Sequence, residues 1–468
     1  MLKKIAFFVY LLILFFTLFA QENSIQKNET EYEEKTIEKI EEGEADLSEV
    51  DEKKDIIMYG LESDIINLIK ELKEKNDDRF NLELTTTFSK SKSFILRSAI
   101  LDFFATIKCQ NLNDEVFHIL EEREVHNRQE VNAVLFYVGE NDLKNLIPIL
   151  RSIIENEEID FIESAIVALG KIGGDEEALA LVSYYEKVEF EDEKKEIIIK
   201  EAIMHALEKL STNEVLDFLI DIIENEVDNV VVRSIAINAL SNIKNDESFN
   251  KLLELYSSSE PILRISCIKA ISKFDNDGAK NILIEACKDS YYKVRLEAVN
   301  SINISSDEVC DLLLYRAKKD PEITVKNVCI EKLSSFNNAK ANEWLLKTFA
   351  DEKTPTNIRV KIAESLLKNN LELIIEELKK VAIETTTSDK YKTLRYDLGR
   401  IIAKIKTEAT LSIAEAYITN KDVLTKTLGL DMFATNKYSS LFSIVEEISN
   451  DKKMGALQKR AKSLLENK

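Results

Sequence analysis

A phrase of about eleven residues recurs at a nearly constant interval through most of the chain. In the five consecutive copies an aliphatic residue precedes a base, and small or apolar residues follow the base three and seven positions later. The bases of these copies are Arg233, Arg264, Arg295, Lys326 and Arg359, which gives steps of 31, 31, 31 and 33 residues. Weaker copies extend the series in both directions, with Arg97 and Lys200 before it and Arg395 and Lys426 after it. A fixed period of this length is typical of a solenoid repeat.

Each copy is followed by a second stretch with helical periodicity, for example AKNILIEACKD from Ala279. Both stretches are therefore predicted to be amphipathic helices joined by short turns. One such hairpin cannot bury its apolar stripe alone, so successive hairpins stack around a shared core. Only 10 glycines and 4 prolines occur in 468 residues, which argues against folds rich in tight turns. The sequence predicts an all-α solenoid, a superhelix of about eleven helical hairpins.

The copies resemble HEAT repeats, including the short variant found in phycobilisome lyases. The resemblance covers roughly residues 60–468 and is carried by VRLEAVNSI, with Asp289 six residues before Arg295, and by the proline-containing LIPILRSII. It implies a ladder of acids and bases that ties neighbouring repeats together at the inter-helix turns. The structural repeat positions expected from it are Arg97, Arg233, Arg264, Arg295, Lys326, Arg359 and Arg395, with Asp289, Asp320 and Asp389 as acids. The resemblance carries no active site across, because such arrays serve many roles.

The first twenty residues have the pattern of a secretory signal. Lys3 and Lys4 precede an uncharged run from Ile5 to Ala20. Sixteen helical residues would reach about 24 Å, less than a hydrocarbon core of roughly 30 Å, which favours cleavage after Ala20 over retention as an uncleaved anchor. We therefore expect an exported protein, either periplasmic or associated with the envelope.

An acidic stretch separates this segment from the repeats. Residues 21–55 contain 14 acidic and 5 basic side chains and no sustained apolar period. This composition predicts a disordered linker. Residues 56–468 then form the solenoid, with degenerate capping units at both ends.

No combination of residues in the sequence predicts catalysis. Cys267 and Cys329 occupy a position that sister copies fill with Ala236 and Ala298, which favours core packing over a disulfide. None of the three histidines has a cysteine or a second histidine at metal-ligand spacing. The glycine cluster at 170–174 follows a helix instead of a strand, so it does not match a phosphate-binding loop. We expect no catalytic residue, no metal and no cofactor.

The charge balance narrows the class of partner. A net charge of −22 disfavours nucleic acid and anionic lipid, which bind through excess Lys and Arg. The expected function is a scaffold that binds another protein or an extended peptide, with membrane contact only through an uncleaved N-terminal segment. A lyase-like or enzyme-accessory subunit and a structural envelope spacer remain alternatives. Tyr291 and Tyr292 are candidate surface contacts, because Tyr is enriched in interfaces, although packing against the next repeat is favoured.

Overall fold

The computed structural model describes residues 49–225, 229–258 and 260–466. The expected signal at residues 1–20 and the linker up to residue 48 lie outside the described residues. Within the described ranges the regular structure consists of α-helices and short 3-10 turns, without a strand. The described ranges also contain no helix long and apolar enough to cross a membrane. The predicted all-α class is confirmed.

The chain divides into two compact units, of which the first ends at Val215. From residue 49 onward, this unit contains ten α-helices: α1 (49–59), α2 (Glu62–Lys75), α3 (Asn81–Lys90), α4 (Phe94–Thr106), α5 (Asn113–Glu121), α6 (Arg128–Glu140), α7 (Ile147–Glu155), α8 (Ile162–Ile172), α9 (Asp175–Tyr185) and α10 (Glu193–Leu210). In this unit α2, α4, α6, α8 and α10 pack side by side in that order.

The second unit begins at Leu216. Its helices are α11 (Leu216–Glu224), α12 (Val230–Ile243), α13 (Asp246–Ser258), α14 (Pro261–Ile271), α15 (Asp277–Ala286), α16 (Tyr292–Ser301), α17 (Asp307–Lys319), α18 (Ile323–Ser335), α19 (Ala339–Ala350), α20 (Thr356–Asn369), α21 (Leu371–Thr385), α22 (Lys392–Ile402), α23 (Leu411–Ile418), α24 (Val423–Asn436), α25 (Phe442–Asn450) and α26 (Ala456–Glu466). The even-numbered helices again form one row, from α12 to α26.

Each odd-numbered helix pairs with the even-numbered helix that follows it, which makes the helical hairpin the repeating unit. The described residues contain five pairs in the first unit and eight in the second. This number exceeds the expected eleven because the terminal repeats, whose sequence period is weak, are complete pairs. The first pair is α1 with α2, and the last is α25 with α26.

The helical part of the chain includes residues that the sequence assigned to the linker. Helix α1 already contains residues 49–55, so the boundary expected at residue 56 moves toward the N-terminus. Lys53 and Ile57 are both buried, and the Lys53 ammonium group lies 2.6 Å from Glu49 and 3.1 Å from Glu71. A lysine can bury its aliphatic stem while its charge stays paired. The sequence pattern did not predict this helix, because its buried face includes the charged residue Lys53 and the surrounding segment is acidic.

Small residues set the spacing of the inner helices in the first unit. A Cβ atom added to Gly170 of α8 would lie 2.6 Å from the Cα of Ala206 on α10. In the second unit one continuous apolar cluster extends from Ile268 to Ala461. Each hairpin thus buries its stripe against its neighbours, as stacking of repeats requires.

Candidate functional site

The seven bases expected as structural repeat positions share one position, which places them at one edge of each row of inner helices. Each of the seven is the fourth residue of an even-numbered helix: Arg97 in α4, Arg233 in α12, Arg264 in α14, Arg295 in α16, Lys326 in α18, Arg359 in α20 and Arg395 in α22. Of the two other weak copies, Lys426 shares this position in α24, whereas Lys200 is the eighth residue of α10. Because the even helices of a unit run side by side, their first turns are neighbours. The side chains therefore face the turns between the two helices of a hairpin.

Two of the arginines bind both carboxylate oxygens of an aspartate in the next repeat. Arg264 donates from Nε and Nη2 to the two carboxylate oxygens of Asp289, both at 2.9 Å. Arg295 donates from the same two atoms to Asp320, both at 2.8 Å. Arg295 also donates through Nη1 to the carbonyl oxygens of Asp289 and Ser290, at 2.9 and 3.1 Å. Both contacts join neighbouring repeats. The Asp289 carboxylate thus binds Arg264 of the preceding repeat, not Arg295 of its own.

Both aspartates stay ionised because of these partners. Burial alone would raise the pKa of Asp320, but the Arg295 guanidinium and the Glu322 amide outweigh burial and lower it. The same balance, with Arg264 and the Tyr291 amide as donors, lowers the pKa of Asp289. A bidentate contact between charged groups is among the stronger hydrogen-bond arrangements in proteins.

Three other arginines turn back to the preceding helix of their own hairpin. Arg233 and Arg359 each donate from Nε to a carbonyl oxygen ten residues earlier, on Ile223 at 2.9 Å and on Phe349 at 2.7 Å. Arg395 reaches the equivalent carbonyl of Thr385 at 2.8 Å, but it uses Nη1. These contacts satisfy carbonyl groups at helix C-termini, which have no partner within their own helix.

The remaining predicted positions differ from both patterns. Arg97 pairs with Glu130 at 2.8 Å and lies over the Phe88 ring, 4.4 Å from its centroid. Lys326 is half-buried and forms no ion pair within 4.0 Å in the described part of the chain. The carboxylate of Asp389 lies 3.5 Å from Nη2 of Arg395, and its side chain is 91% exposed. The expected ladder is therefore continuous only from Arg264 to Asp320.

The two candidate tyrosines pack inward. Tyr291 and Tyr292 are half-buried against the apolar cluster of the second unit, with ring centroids 5.5 Å apart. The Tyr291 amide also donates to Asp289 Oδ1 at 2.7 Å. This placement agrees with packing, the favoured alternative in the sequence.

Sequence reasoning missed a row of exposed apolar side chains in the second unit. We call it the apolar edge, and its members are Val231, Ile262, Ile323, Val423 and Leu424. All lie in the first two positions of α12, α14, α18 or α24, close to the repeated bases. Their exposed fractions run from 41% for Leu424 to 65% for Val423. The sequence did contain a signal for this edge, namely an apolar residue in the first or second position of an inner helix, outside its buried stripe.

A polar cavity of about 770 Å³ opens near the C-terminal end of the same unit. We call it the turn pocket, because its walls are the turn between α21 and α22 and the turn between α23 and α24. Its lining residues are Thr386, Thr387, Ser388, Asp389, Lys392, Arg395, Ala416, Thr419, Asn420, Lys421 and Asp422. The cations Lys392, Arg395 and Lys421 outnumber the two acids, which makes the pocket locally positive in a chain of net charge −22.

The described residues contain no group of three or more His, Cys, Asp or Glu side chains able to hold a metal ion. The cysteines are free thiols, and burial raises the pKa of Cys267 and Cys287 to about 12. A thiol of such high pKa is a poor nucleophile near neutral pH. The surface features that remain, the apolar edge and the turn pocket, are suited to binding.

The stacked hairpins with arginine ties between turns define an α-solenoid of the HEAT type. Residues 57–464 match the model of the spirochaete HEAT repeat protein family, and the chain belongs to that family. The resemblance seen in the sequence is thereby confirmed. No curated protein matches the chain.

Several solved structures are distantly similar. The crystal structure of Kap121p is 12% identical, with 88% of this chain and 52% of that chain covered and a TM-score of 0.39. The structure of Kap121p bound to the SUMO protease Ulp1p is 11% identical, with 85% of this chain and 49% of that chain covered and a TM-score of 0.39. A structure from work on tubulin recruitment by TOG domain arrays is 12% identical, with 88% of this chain and 98% of that chain covered and a TM-score of 0.26. The chain spans about half the length of the Kap121p chains.

Proposed function

We propose that this HEAT-repeat protein is a non-enzymatic scaffold that binds an extended segment of another protein along the second unit. The apolar edge is the observation that carries the proposal. Five large apolar side chains stand exposed at equivalent positions of four inner helices. Val231 and Ile262 lie on adjacent inner helices, whereas α16 separates them from Ile323, and α20 and α22 separate Ile323 from Val423 and Leu424. Exposed large apolar groups rimmed by polar ones mark interaction sites in soluble proteins where they cluster.

The geometry of the repeat favours an extended partner over a compact one. Helices that pack side by side are about 8 to 10 Å apart, so the exposed side chains on α12, α14, α18 and α24 follow one another at one, two and then three such steps. An extended peptide advances up to about 3.3 to 3.6 Å per residue, so roughly every third side chain can meet a new repeat. Repeat solenoids provide this kind of extended binding surface.

The test compares variants that alter the edge with one that alters another exposed site. Ile262→Asp combined with Val423→Asp introduces two charges into the apolar edge, while Tyr315→Asp introduces one on α17, where Tyr315 is also exposed. We expect affinity capture from envelope extracts to recover the same protein with wild type and Tyr315→Asp, and to lose it with the double variant. Equal recovery by all three would refute binding at this edge. A turnover activity in the purified chain would refute the non-enzymatic role.

We also propose that the protein acts outside the cytoplasm. The basic, apolar and polar order of residues 1–23 supports this proposal. An N-terminal peptide beginning at Gln21 in an extracytoplasmic fraction is the expected result. Intact Met1 in a soluble cytoplasmic fraction would contradict it.

A further inference from the structure

Arg395 is the most completely buried of the repeated bases, and part of its guanidinium lacks a partner. Its side chain lines the turn pocket, yet the residue is only 1% exposed. Nη1 donates to Thr385, whereas Nε and Nη2 have no hydrogen-bond partner among the described residues. Arginine remains charged at any ordinary pH, so a buried guanidinium edge without an acceptor is costly.

The same two atoms bind a carboxylate in the sister repeats. Nε and Nη2 of Arg264 and of Arg295 contact both oxygens of the aspartate located 25 residues further along the chain. The residue 25 positions after Arg395 is Asn420.

Asn420 adopts the local geometry of those aspartates. Its Oδ1 accepts from the amide of Asp422, two residues later, at 2.9 Å. Asp289 and Asp320 accept in the same way from Tyr291 and Glu322, at 2.7 and 3.0 Å. Asn420 therefore replaces the ladder acid with a neutral side chain, whose Nδ2 donates to the Thr386 carbonyl oxygen.

Neither acid of the pocket neutralises Arg395 fully. Asp389 approaches Nη2 to 3.5 Å without a hydrogen bond, and its side chain is almost fully solvated. Asp422 is engaged elsewhere, since it accepts from Tyr396 at 2.9 Å and from the Thr425 hydroxyl at 2.7 Å and lies 3.6 Å from the Lys392 ammonium group.

We infer that the turn pocket binds a carboxylate from outside the repeat, with Nε and Nη2 of Arg395 as its bidentate donors and Lys392 and Lys421 at the rim. This inference rests on the proposed function in one respect, because the carboxylate belongs to an acidic residue or to the C-terminus of a bound peptide. The net charge of −22 opposes an acidic partner at long range. At physiological ionic strength screening acts beyond roughly 8 Å, so the cations of the pocket dominate at contact.

The test follows the Nε resonances of the full chain labelled at arginine. One probe is an acetylated and amidated peptide with internal Asp and Glu, and a second has a free C-terminal carboxylate but no acidic side chain. We expect one or both to shift the Arg395 resonance saturably. The resonances of Arg264 and Arg295, already paired, are internal controls and should stay in place. A response to the first probe alone assigns an acidic side chain, and a response to the second alone assigns a C-terminus.

Two variants distinguish bidentate binding by Arg395 from nonspecific electrostatic attraction between the peptide and the cations of the pocket. Asn420→Asp supplies the carboxylate internally, so the Arg395 resonance should move toward those of Arg264 and Arg295 and should no longer respond to either peptide. Arg395→Lys keeps the positive charge but removes the planar edge, and peptide binding measured by calorimetry should fall at least tenfold. An unresponsive Arg395, an unchanged response in Asn420→Asp, or a response to inorganic phosphate alone would overturn the inference. These results are independent of partner capture at the apolar edge, so each proposal can fail separately.

Discussion

Removal of the Arg295 side chain should destabilise the joint between two repeats far more than loss of a surface ion pair. In the structure Arg295 makes two hydrogen bonds to Asp320 at 2.8 Å and two to backbone carbonyls at 2.9 and 3.1 Å. Asp320 is 1% exposed, so Arg295→Ala leaves a buried carboxylate with only the Glu322 amide at 3.0 Å and Arg316 at 3.5 Å. Breaking a buried pair on one side costs about 3 to 5 kcal/mol.

Two reference variants test whether the loss of stability in Arg295→Ala comes from the buried, unpaired carboxylate. The exposed Lys340 pairs with Asp311 on the surface of the same unit, and Lys340→Ala should cost less than about 1 kcal/mol. Replacing both Arg295 and Asp320 by Leu removes the pair without stranding a charge. This double variant should lose less stability than Arg295→Ala, because most of the penalty comes from the unpaired carboxylate.

Native-state hydrogen exchange is the suitable assay, because repeat arrays open locally and not as one cooperative unit. In Arg295→Ala, the protection of backbone amides against exchange should fall in α15 to α18, around the joint between Asp289 and Asp320. It should stay unchanged in α2 to α10. A loss of stability in Arg295→Ala no greater than that in Lys340→Ala would refute this prediction. A double variant as unstable as Arg295→Ala would contradict it as well.

Three further predictions concern the core and the turn pocket. Cys329 is fully buried in a position that sister repeats fill with Ala, so thermal melts should show that Cys329→Leu loses about 1 to 3 kcal/mol and Cys329→Ala less. Gly170→Ala should lower the melting temperature of the first unit, since the new Cβ would lie 2.6 Å from Ala206 Cα, and an unchanged melt would contradict this packing. Burial opposes ionisation of Asp422, but donors from Thr425 and Tyr396 outweigh it and lower its pKa from 3.8 to about 2. Its stabilising contribution is complete above about pH 4 and is lost as the pH falls toward 2, so Asp422→Asn should flatten the acid unfolding profile in that window.

The amino-acid sequence alone determined the architecture, because the physics of a repeat is local. Apolar residues at helical spacing define the hairpins, and a fixed period makes every hairpin bury its stripe against a similar neighbour. The same period predicted that the seven bases share one structural position, and each is indeed the fourth residue of an inner helix. It also predicted that position 329 is a buried slot for a small side chain.

Tertiary structure alone decided what each base contacts. Arg264 and Arg395 have the same sequence position, yet one binds a carboxylate of the next repeat and the other a carbonyl of its own hairpin. The choice depends on which residue the packed turn of the neighbouring repeat places beside the guanidinium group. Burial follows from the same packing, since Asp320 is enclosed whereas Asp389 remains in solvent. A periodic sequence therefore specifies where a guanidinium lies, while the packed turns determine whether its donors are paired.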